Sequence, residues 1–195
     1  MVINANTRTT KTEFLCIRGG NVLGTNGSIV PYLIDQIKTR NAINITDRRM
    51  TRYFMPIQDA IRLLFFAAEH GIGGEIYVMN MPSFLITDLA DILISEYGDG
   101  QTKIYVTGVR EGEKIHETLI SKSEIRRTRY INNDFHVIYP ATDVNRAIGS
   151  HYWDNYEVIN AVNEHSEFTS FQALKSKNVL REMLIKGGFI NGMGN

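Results

Sequence analysis

Apolar and polar positions alternate along this chain in blocks that predict strands and helices in turn. A continuous apolar run at 14–17 predicts a buried strand. A glycine-rich turn follows it and leads into apolar positions at helical spacing from Ile29 to Ile37. Ser28 stands at the N-cap position, and Pro31 lies in the first turn, where a missing N–H costs nothing. The chain is therefore expected to begin with a strand, a glycine loop and a helix.

The same alternation continues through the rest of the sequence. Its clearest helix spans 56–70, where one face carries the apolar residues Ile57, Ile61, Leu64, Phe65 and Ala68. The pattern also predicts extended segments at 44–46, 73–79, 103–106 and 134–139, a helix capped by Thr87 and ending near Gly98, helices at 113–121 and 179–185, a basic loop at 47–52, and long loops over 142–165. Alternating strands and helices indicate an α/β fold with a small sheet.

Composition and charge narrow the class of protein. The chain has 195 residues with a formal net charge of zero, so it lacks the basic surface that general nucleic-acid binding requires. No apolar run approaches the roughly 20 residues of a transmembrane helix. The single cysteine, Cys16, excludes an internal disulfide and fits a reducing compartment. We therefore expect a cytoplasmic protein with no membrane span that does not bind nucleic acid.

Two kinds of loop could bind an anion. The glycines Gly20, Gly24 and Gly27 stand between a strand and a helix, but not at the spacing of the dinucleotide fingerprint, so a phosphate site and a structural turn are equally open readings. An arginine binds phosphate through paired hydrogen bonds, and Arg48, Arg49 and Arg52 cluster on one predicted loop. From spacing alone, a solvated charge cluster is the better reading of these arginines.

The catalytic patterns that a sequence displays by itself are missing. No tyrosine has a lysine four residues further on, no serine stands in a Gly-x-Ser-x-Gly turn, and the histidines form no metal-ligand pair. Residues and spacing alone thus predict an α/β domain with arginine-bearing loops and neither a catalytic residue nor a metal site.

Three ordered motifs resemble a known family. They are Arg18-Gly-Gly-Asn-Val-Leu-Gly, Met50-Thr-Arg-Tyr-Phe54 and Arg110-Glu-Gly-Glu-Lys-Ile-His-Glu117. Together they resemble the CapD-like polysaccharide-biosynthesis group of the extended short-chain dehydrogenases/reductases, and within it the UDP-N-acetylglucosamine 4,6-dehydratases, including inverting members that also epimerise C5. The resemblance covers residues 13–125 well and the remainder weakly.

The resemblance implies a fold, a substrate and a set of binding residues. The fold would be the C-terminal part of a Rossmann-like enzyme, its last strands together with a small nucleotide-sugar-binding lobe. Residues 1–125 would form the CapD-like domain, and residues 126–195 an extension of the same lobe. The residues expected to bind the UDP-sugar are Asn21, Ser28, Thr46, Arg52, Arg110 and Glu113. Three positions depart from the family's usual residues: Gly19 replaces an aromatic residue, Asn26 an arginine and Glu111 a proline.

The resemblance also implies that this chain lacks the redox machinery. Members of the family bind NADP and use a Tyr-x-x-x-Lys pair, and both features lie upstream of the matching region. We therefore expect the chain alone to be inactive and to contain no cofactor-binding residue. It would work as a substrate-binding part beside a separately encoded N-terminal half, and the complete protein would be a homo-oligomer. The alternatives are a remnant that acts at most as a UDP-sugar-binding module and, ranked last, a scaffolding protein.

A missing half has a structural consequence. The sheet would have an open edge beside the strand at 14–17, and the helix at 56–70 would leave the face with Leu64 and Phe65 partly uncovered.

Overall fold

A computed structural model gives the fold of the chain. It describes residues 11–131, 134–141 and 167–192, together with residue 5 and the backbone of 158–160. The helices that matter for the site and its surroundings are α1 (Ile29–Arg40), α2 (Ile57–His70), α3 (Ile86–Tyr97), α4 (Lys122–Ile125) and α5 (Lys177–Lys186). The strands are β1 (Cys16–Arg18), β2 (Asn21–Val22), β3 (Ala42–Ile45), β4 (Thr51–Met55), β5 (Ile76–Met79), β6 (Ser83–Leu85), β7 (Lys103–Val106), β8 (Thr118–Ile120), β9 (Thr128–Ile131), β10 (Phe135–Ile138), β11 (Val158–Asn160) and β12 (Phe168–Thr169). The mixture of strands and helices confirms the α/β prediction.

The chain folds as two compact units, and the first comprises Met1–Gly19, Gln58–Asn80 and Thr118–Phe168. Its sheet has the strand order β1-β5-β10-β9-β11, with β1 parallel to β5 and the other neighbours antiparallel. Phe66 of α2 stacks on Phe135 of β10 with ring centroids 4.2 Å apart. Val78 of β5 and Val137 of β10 are fully buried. Helix α2 therefore contributes directly to the core of this unit.

Helix α2 also has an apolar face that the chain leaves exposed. Leu63 and Ala67 are buried, whereas Ile61, Leu64 and Phe65 are 47%, 51% and 66% exposed. The helix therefore buries the neighbouring stripe and turns the predicted apolar face outward. This confirms the expectation that the surface around Leu64 and Phe65 is uncovered. Exposed apolar residues clustered on one face are typical of a contact surface.

The second unit comprises Gly20–Ile57, Met81–Glu117 and Thr169–Asn195. Three of its helices supply one continuous core, to which α1 contributes Val30 and Leu33, α3 contributes Leu89 and Leu93, and α5 contributes Leu180 and Leu184. A three-stranded sheet with the order β2-β4-β6 and a parallel pair β3-β7 complete it. Helix α1 ends at Arg40, and the C-cap residue Asn41 follows in the left-handed conformation with a φ of 48°.

The parallel pair brings two distant loops together. Beyond the paired residues, the N–H of Thr107 donates to the carbonyl of Ile45 at 2.9 Å, and the N–H of Gly108 donates to the carbonyl of Thr46 at 3.1 Å. Because parallel strands present their carboxyl ends at the same edge, the residue after β3 lies beside the loop that follows β7.

Three local predictions are wrong. Residues 113–121 are not helical, since His116 pairs with Thr51 as a parallel bridge and β8 begins at Thr118. The basic loop at 47–52 ends at β4, which includes Thr51 and Arg52. Thr87 is not a cap, because α3 begins at Ile86.

Hydrogen bonds to distant segments explain why residues 113–121 are not helical. The N–H of Thr51 donates to the carbonyl of Ile115 at 3.0 Å, and the N–H of Ser170 donates to the carbonyl of Glu117 at 2.8 Å. Backbone groups satisfied by partners from distant segments do not need the bonds of a helix. Of the long loops expected over 142–165, Val158–Asn160 form β11, and the rest lies outside the described residues.

Candidate functional site

The carboxylate of Glu113 is the centre of a cluster at the carboxyl ends of β3 and β7. One of its oxygens accepts a hydrogen bond of 3.1 Å from the hydroxyl of Thr46 and lies 3.9 Å from Nη2 of Arg52. The other oxygen accepts the N–H of Arg110 at 3.4 Å. The structure thus brings together four of the six residues expected to bind a nucleotide sugar. All four belong to the second unit.

Two glycines shape the loop that carries Arg110 and Glu113. Gly108 and Gly112 have φ values of 89° and 80°, a conformation that residues with a side chain rarely adopt. Between them the chain turns back, and the N–H of Glu113 donates to the carbonyl of Arg110 at 3.0 Å. The turn therefore explains why these two residues, three positions apart, share one side of the loop.

Arg52 is held by the backbone of the neighbouring segment. Its Nη1 donates to the carbonyls of Thr51 at 2.8 Å and Ile115 at 3.1 Å, and its Nη2 donates to the carbonyl of Lys114 at 2.9 Å. Its Nε lies 3.4 Å from a carboxylate oxygen of Glu117. Arg52 therefore anchors residues 114–117 to β4, and two carboxylates balance its charge.

Among the other arginines, some guanidinium groups already have a partner in the chain and others are available to a ligand. Arg49 is paired with Asp47, with 2.8 Å between Nη2 and the carboxylate, and the Arg49 hydrogen bonds lower the pKa of Asp47 to about 2. Arg48 and Arg110 are exposed, and neither guanidinium has an ion-pair or hydrogen-bond partner among the residues that the structure describes. Arg110 is therefore the cation of the Glu113 cluster that can receive an anion.

Asn21 and Ser28 belong to the same unit but are not joined to Glu113 by a hydrogen bond within the described ranges. Asn21 lies on β2, opposite Phe54 of β4, and its residue surface is exposed. Ser28 is the N-cap of α1, as predicted, yet its hydroxyl makes no capping bond and is buried without a partner in the part of the chain that the structure describes. No acidic residue stands in the first turn of α1, so the amino end of this helix keeps its partial positive charge.

The glycine loop does not fit a dinucleotide. A Cβ at Gly24 would lie 2.3 Å from the ring of Phe189, so this glycine makes room for a side chain of the same chain rather than for a ligand. A Cβ at Gly20 would lie 2.6 Å from Cβ of Tyr53. These two contacts explain two of the three glycines by packing within the chain.

Sequence reasoning missed a network beside Arg52. Nδ1 of His116 is 2.8 Å from the hydroxyl of Thr51, which is 2.6 Å from the hydroxyl of Ser170. The ring of His116 also contacts Phe171, with centroids 5.1 Å apart. Ser170 follows Thr51 by 119 positions, and no local pattern announces such a partner.

Other kinds of site are not evident in the described ranges. No group of three or more histidine, cysteine, aspartate or glutamate side chains there is arranged to bind a metal ion. None of the helices in that part combines the length and apolarity needed to cross a bilayer. Cys16 is a half-buried free thiol.

The fold and the site together define a class of protein. Arginine and glutamate side chains stand at the carboxyl ends of parallel strands, where ligands bind in open α/β sheets. The fold is that of the Rossmann-like extended short-chain dehydrogenases/reductases. The structure of Pen from Bacillus thuringiensis matches 97% of this chain with a TM-score of 0.81 and 28% identity. A dTDP-glucose 4,6-dehydratase from Streptomyces venezuelae has the same fold, with a TM-score of 0.51 over 58% of the chain and 18% identity.

Residues 1–139 match the family described as polysaccharide biosynthesis protein. This is more than half of the chain, which therefore belongs to that family. The chain is 33% identical over 147 residues, or 75% of its length, to a UDP-glucose 4-epimerase of Rickettsia canadensis. It is 41% identical over 129 residues, or 64% of its length, to the capsular polysaccharide biosynthesis protein CapD of Staphylococcus aureus.

The chain spans only part of each of these relatives. It matches 43% of the epimerase, 22% of CapD and 55% of Pen.

Proposed function

We propose that this chain provides the nucleotide-sugar-binding part of a UDP-sugar 4,6-dehydratase or epimerase in polysaccharide synthesis, with UDP-N-acetylglucosamine as the substrate. The observation that carries the proposal is the Glu113 cluster, in which the Thr46 hydroxyl, the Arg52 guanidinium and the backbone N–H of Arg110 approach one carboxylate. Membership of the polysaccharide biosynthesis family and the epimerase among its relatives support the same substrate class.

Each residue has a chemical role in this proposal. Arg110 is exposed and can bind the diphosphate through paired hydrogen bonds. The carboxylate of Glu113 can accept hydrogen bonds from ribose or sugar hydroxyls, while Thr46 holds one of its oxygens in place. Arg52 adds positive charge and maintains the shape of the loop. Asn21 and the amino end of α1 at Ser28 extend the binding surface within the same unit.

A cofactor-binding part is proposed to complete the protein. The family resemblance implies NADP, and we propose that its binding site belongs to that other part, so no chemical step is assigned to this chain. We propose that the exposed face of α2, with Ile61, Leu64 and Phe65, packs against the cofactor-binding part. Such a part would correspond to the length of the relatives that this chain does not match.

The binding proposal is tested by calorimetry with UDP. We expect binding by the unmodified chain and a loss of about tenfold in affinity for Arg110→Ala, since one charge-assisted hydrogen bond is worth about 1.5 kcal/mol or more. Arg40→Ala is the matched control, because Arg40 is an exposed arginine in the last turn of α1. Absence of binding at millimolar UDP, or equal losses in both variants, would overturn the proposal.

The partner proposal needs a separate experiment. The chain is mixed with a polypeptide corresponding to the unmatched part of a relative, and association is followed by analytical ultracentrifugation. Phe65→Asp should abolish the complex, whereas Tyr32→Asp, which changes an exposed aromatic residue of α1, should leave it intact. If the complex forms, addition of UDP-N-acetylglucosamine and NADP+ then tests for a 4-keto product. UDP binding without complex or product would favour the alternative, a binding module.

A further inference from the structure

Ser170 is fully buried and uses every polar group that it has. Its N–H donates to the carbonyl of Glu117 at 2.8 Å, and its hydroxyl oxygen accepts the N–H of Glu117 at 2.8 Å. Its carbonyl accepts the hydroxyl of Ser83 on β6. Its hydroxyl also lies 2.6 Å from the hydroxyl of Thr51 and 3.2 Å from the carbonyl of Thr51. One residue thus connects β4, β6 and the segment that ends at Glu117.

The two residues that Ser170 connects most closely are neighbours of the candidate site. Thr51 directly precedes Arg52, and Glu117 places its carboxylate 3.4 Å from Nε of Arg52. In the loop from Arg110 to Glu117, Arg52 binds the carbonyls of Lys114 and Ile115, and Ser170 binds the backbone of Glu117. Loss of the bonds between Ser170 and Glu117 would therefore alter where Arg110 and Glu113 stand relative to Arg52.

The hydroxyls of Ser170 and Thr51 form one connected network. The N–H of Glu117 donates to the hydroxyl oxygen of Ser170, the hydroxyls of Ser170 and Thr51 share a hydrogen bond of 2.6 Å, and the Thr51 hydroxyl lies 2.8 Å from Nδ1 of His116. Thr51 and Ser170 are both inaccessible to solvent, so water cannot replace a missing partner.

The segment around Ser170 has further attachments of its own. The N–H of Ser83 donates to the carbonyl of Ala173 at 3.1 Å, and the N–H of Lys175 donates to the carbonyl of Ser83 at 2.9 Å. This segment lies beyond the stretch that matches the family, which ends at residue 139. The position of a site built from family motifs thus depends on residues outside those motifs.

We infer that Ser170 is a positioning residue that holds the Arg110–Glu117 loop against β4 in the geometry that binds the nucleotide diphosphate, an inference that rests on the proposed function. Ser170 itself does not contact the ligand. Its hydroxyl acts through Thr51 and through the backbone of Glu117.

Two variants remove the network without adding bulk. Ser170→Ala deletes the central hydroxyl, and Thr51→Val deletes the neighbouring hydroxyl while preserving the shape of the side chain. Thr51→Ser keeps the hydroxyl that Thr51→Val removes, and it is therefore the rescue variant. Thr39→Val is the matched control, since the Thr39 hydroxyl donates only to the carbonyl of Asp35 on the exposed side of α1.

Calorimetry with UDP is carried out at a temperature where circular dichroism shows every variant to be folded. We expect Ser170→Ala and Thr51→Val to lose about tenfold in UDP affinity, the equivalent of one buried hydrogen bond. Thr51→Ser and Thr39→Val should stay within about twofold of the unmodified chain. Folded Ser170→Ala and Thr51→Val with unchanged affinity would overturn the inference. If Ser170→Ala does not fold, Thr51→Val and Thr51→Ser still decide it.

Hydrogen exchange tests the attachment independently of UDP. Ser170→Ala should speed exchange of the Glu117 amide and its neighbours about tenfold, while amides of α3 between Leu89 and Leu93 keep their protection. Unchanged protection at Glu117 would overturn the inference even if the unmodified chain does not bind UDP. Faster exchange at Glu117 in a chain that does not bind UDP would instead refute the proposed function, and with it the ligand-binding role of this attachment.

Discussion

Nη2 of Arg52 donates a hydrogen bond of 2.9 Å to the backbone carbonyl of Lys114, a residue on a different segment of the second unit. Together with the bonds to the carbonyls of Thr51 and Ile115, it makes this arginine a structural element of the loop as well as a source of positive charge. A planar guanidinium with donors in a fixed fork is suited to such a set of acceptors, and an ammonium is not.

Arg52→Lys should therefore destabilise the loop even though the charge is kept. We expect a decrease of about 2 kcal/mol in the free energy of unfolding, because hydrogen bonds from a charged donor to three backbone carbonyls are lost. Urea denaturation measures this decrease, and Arg40→Lys is the control on the exposed end of α1. Equal stability of the two variants would show that the three carbonyl contacts contribute nothing.

The Arg18–Glu124 pair predicts a loss of stability in acid. Two hydrogen bonds of 2.8 Å and 3.0 Å join the two side chains, and the Arg18 hydrogen bonds lower the pKa of Glu124 from 4.5 to about 2. Below pH 4.5 the Glu124 carboxylate takes up a proton in the unfolded chain, whereas in the folded chain it stays ionised until the pH approaches 2. The stabilisation is thus present above pH 4.5 and is lost as the pH falls towards 2.

Glu124→Gln measures this contribution. Because the pair is partly exposed to solvent, we expect a cost of about 1–2 kcal/mol at pH 7, well below the full value of the pKa shift. The difference from the unmodified chain should shrink between pH 4.5 and 2 in denaturation experiments. Glu111→Gln, at an exposed glutamate, serves as the control and should leave stability unchanged at both ends of that range.

Because His136 is buried, we expect the free energy of unfolding to fall in a second pH range, above that of Glu124. Its ring is buried between Tyr130 and Phe168, neither ring nitrogen has a hydrogen-bond partner among the described residues, and burial lowers its pKa from 6.5 to about 4. The folded state therefore keeps the ring neutral while the unfolded chain takes up a proton below pH 6.5. Stability is complete above pH 6.5 and falls by up to about 3 kcal/mol as the pH drops to 4.

His136→Phe should remove the loss of stability between pH 6.5 and 4, since phenylalanine keeps an aromatic ring but takes up no proton. The measurement is the slope of unfolding free energy against pH between 6.5 and 4, which should be clearly smaller in the variant. Parallel slopes in the two proteins would contradict a neutral, buried His136 in the folded state, whatever the absolute stability of the variant.

A side chain at Gly20 should clash with its neighbours and destabilise the fold. A Cβ at this position would lie 2.6 Å from Cβ of Tyr53 and 2.8 Å from its carbonyl oxygen, so the backbone of β4 would have to move. We expect Gly20→Ala to lower the free energy of unfolding by about 1–3 kcal/mol. Gly192→Ala is the control, because its nearest neighbour is at 3.8 Å. Equal melting temperatures of the two variants would disprove the close contact.

Much of the fold follows from local patterns. The strand at 103–106 matches its prediction, and the helices at 29–40 and 57–70 begin and end near the expected residues, since apolar spacing, proline and glycine act within a few positions. Strand Thr51–Met55 was hidden because Arg52 and its basic neighbours resemble a solvated loop. Its formation depends on pairing with β2 and β6, which adjacent residues do not reveal.

The candidate site shows the same division. The family resemblance led to the expectation that Thr46, Arg52, Arg110 and Glu113 bind the substrate, the last three of them within its motifs. The parallel pairing of β3 and β7 brings Thr46 within hydrogen-bond distance of Glu113, which lies 67 positions further along the chain. Ser170 could not be found from the sequence, since its hydroxyl meets Thr51 across 119 positions and an isolated buried serine has no distinguishing pattern.

The helices at 29–40 and 57–70, the strand at 103–106 and the neutral charge follow from the amino-acid sequence alone, because they express preferences that act over a few positions or in the sum of all positions. The tertiary structure decided that Arg52 anchors a loop while Arg110 remains available, that residues 113–121 are not helical, and that Thr51–Met55 form a strand. Each of these depends on which distant groups satisfy a buried donor, acceptor or apolar surface, and only the folded chain brings those groups together.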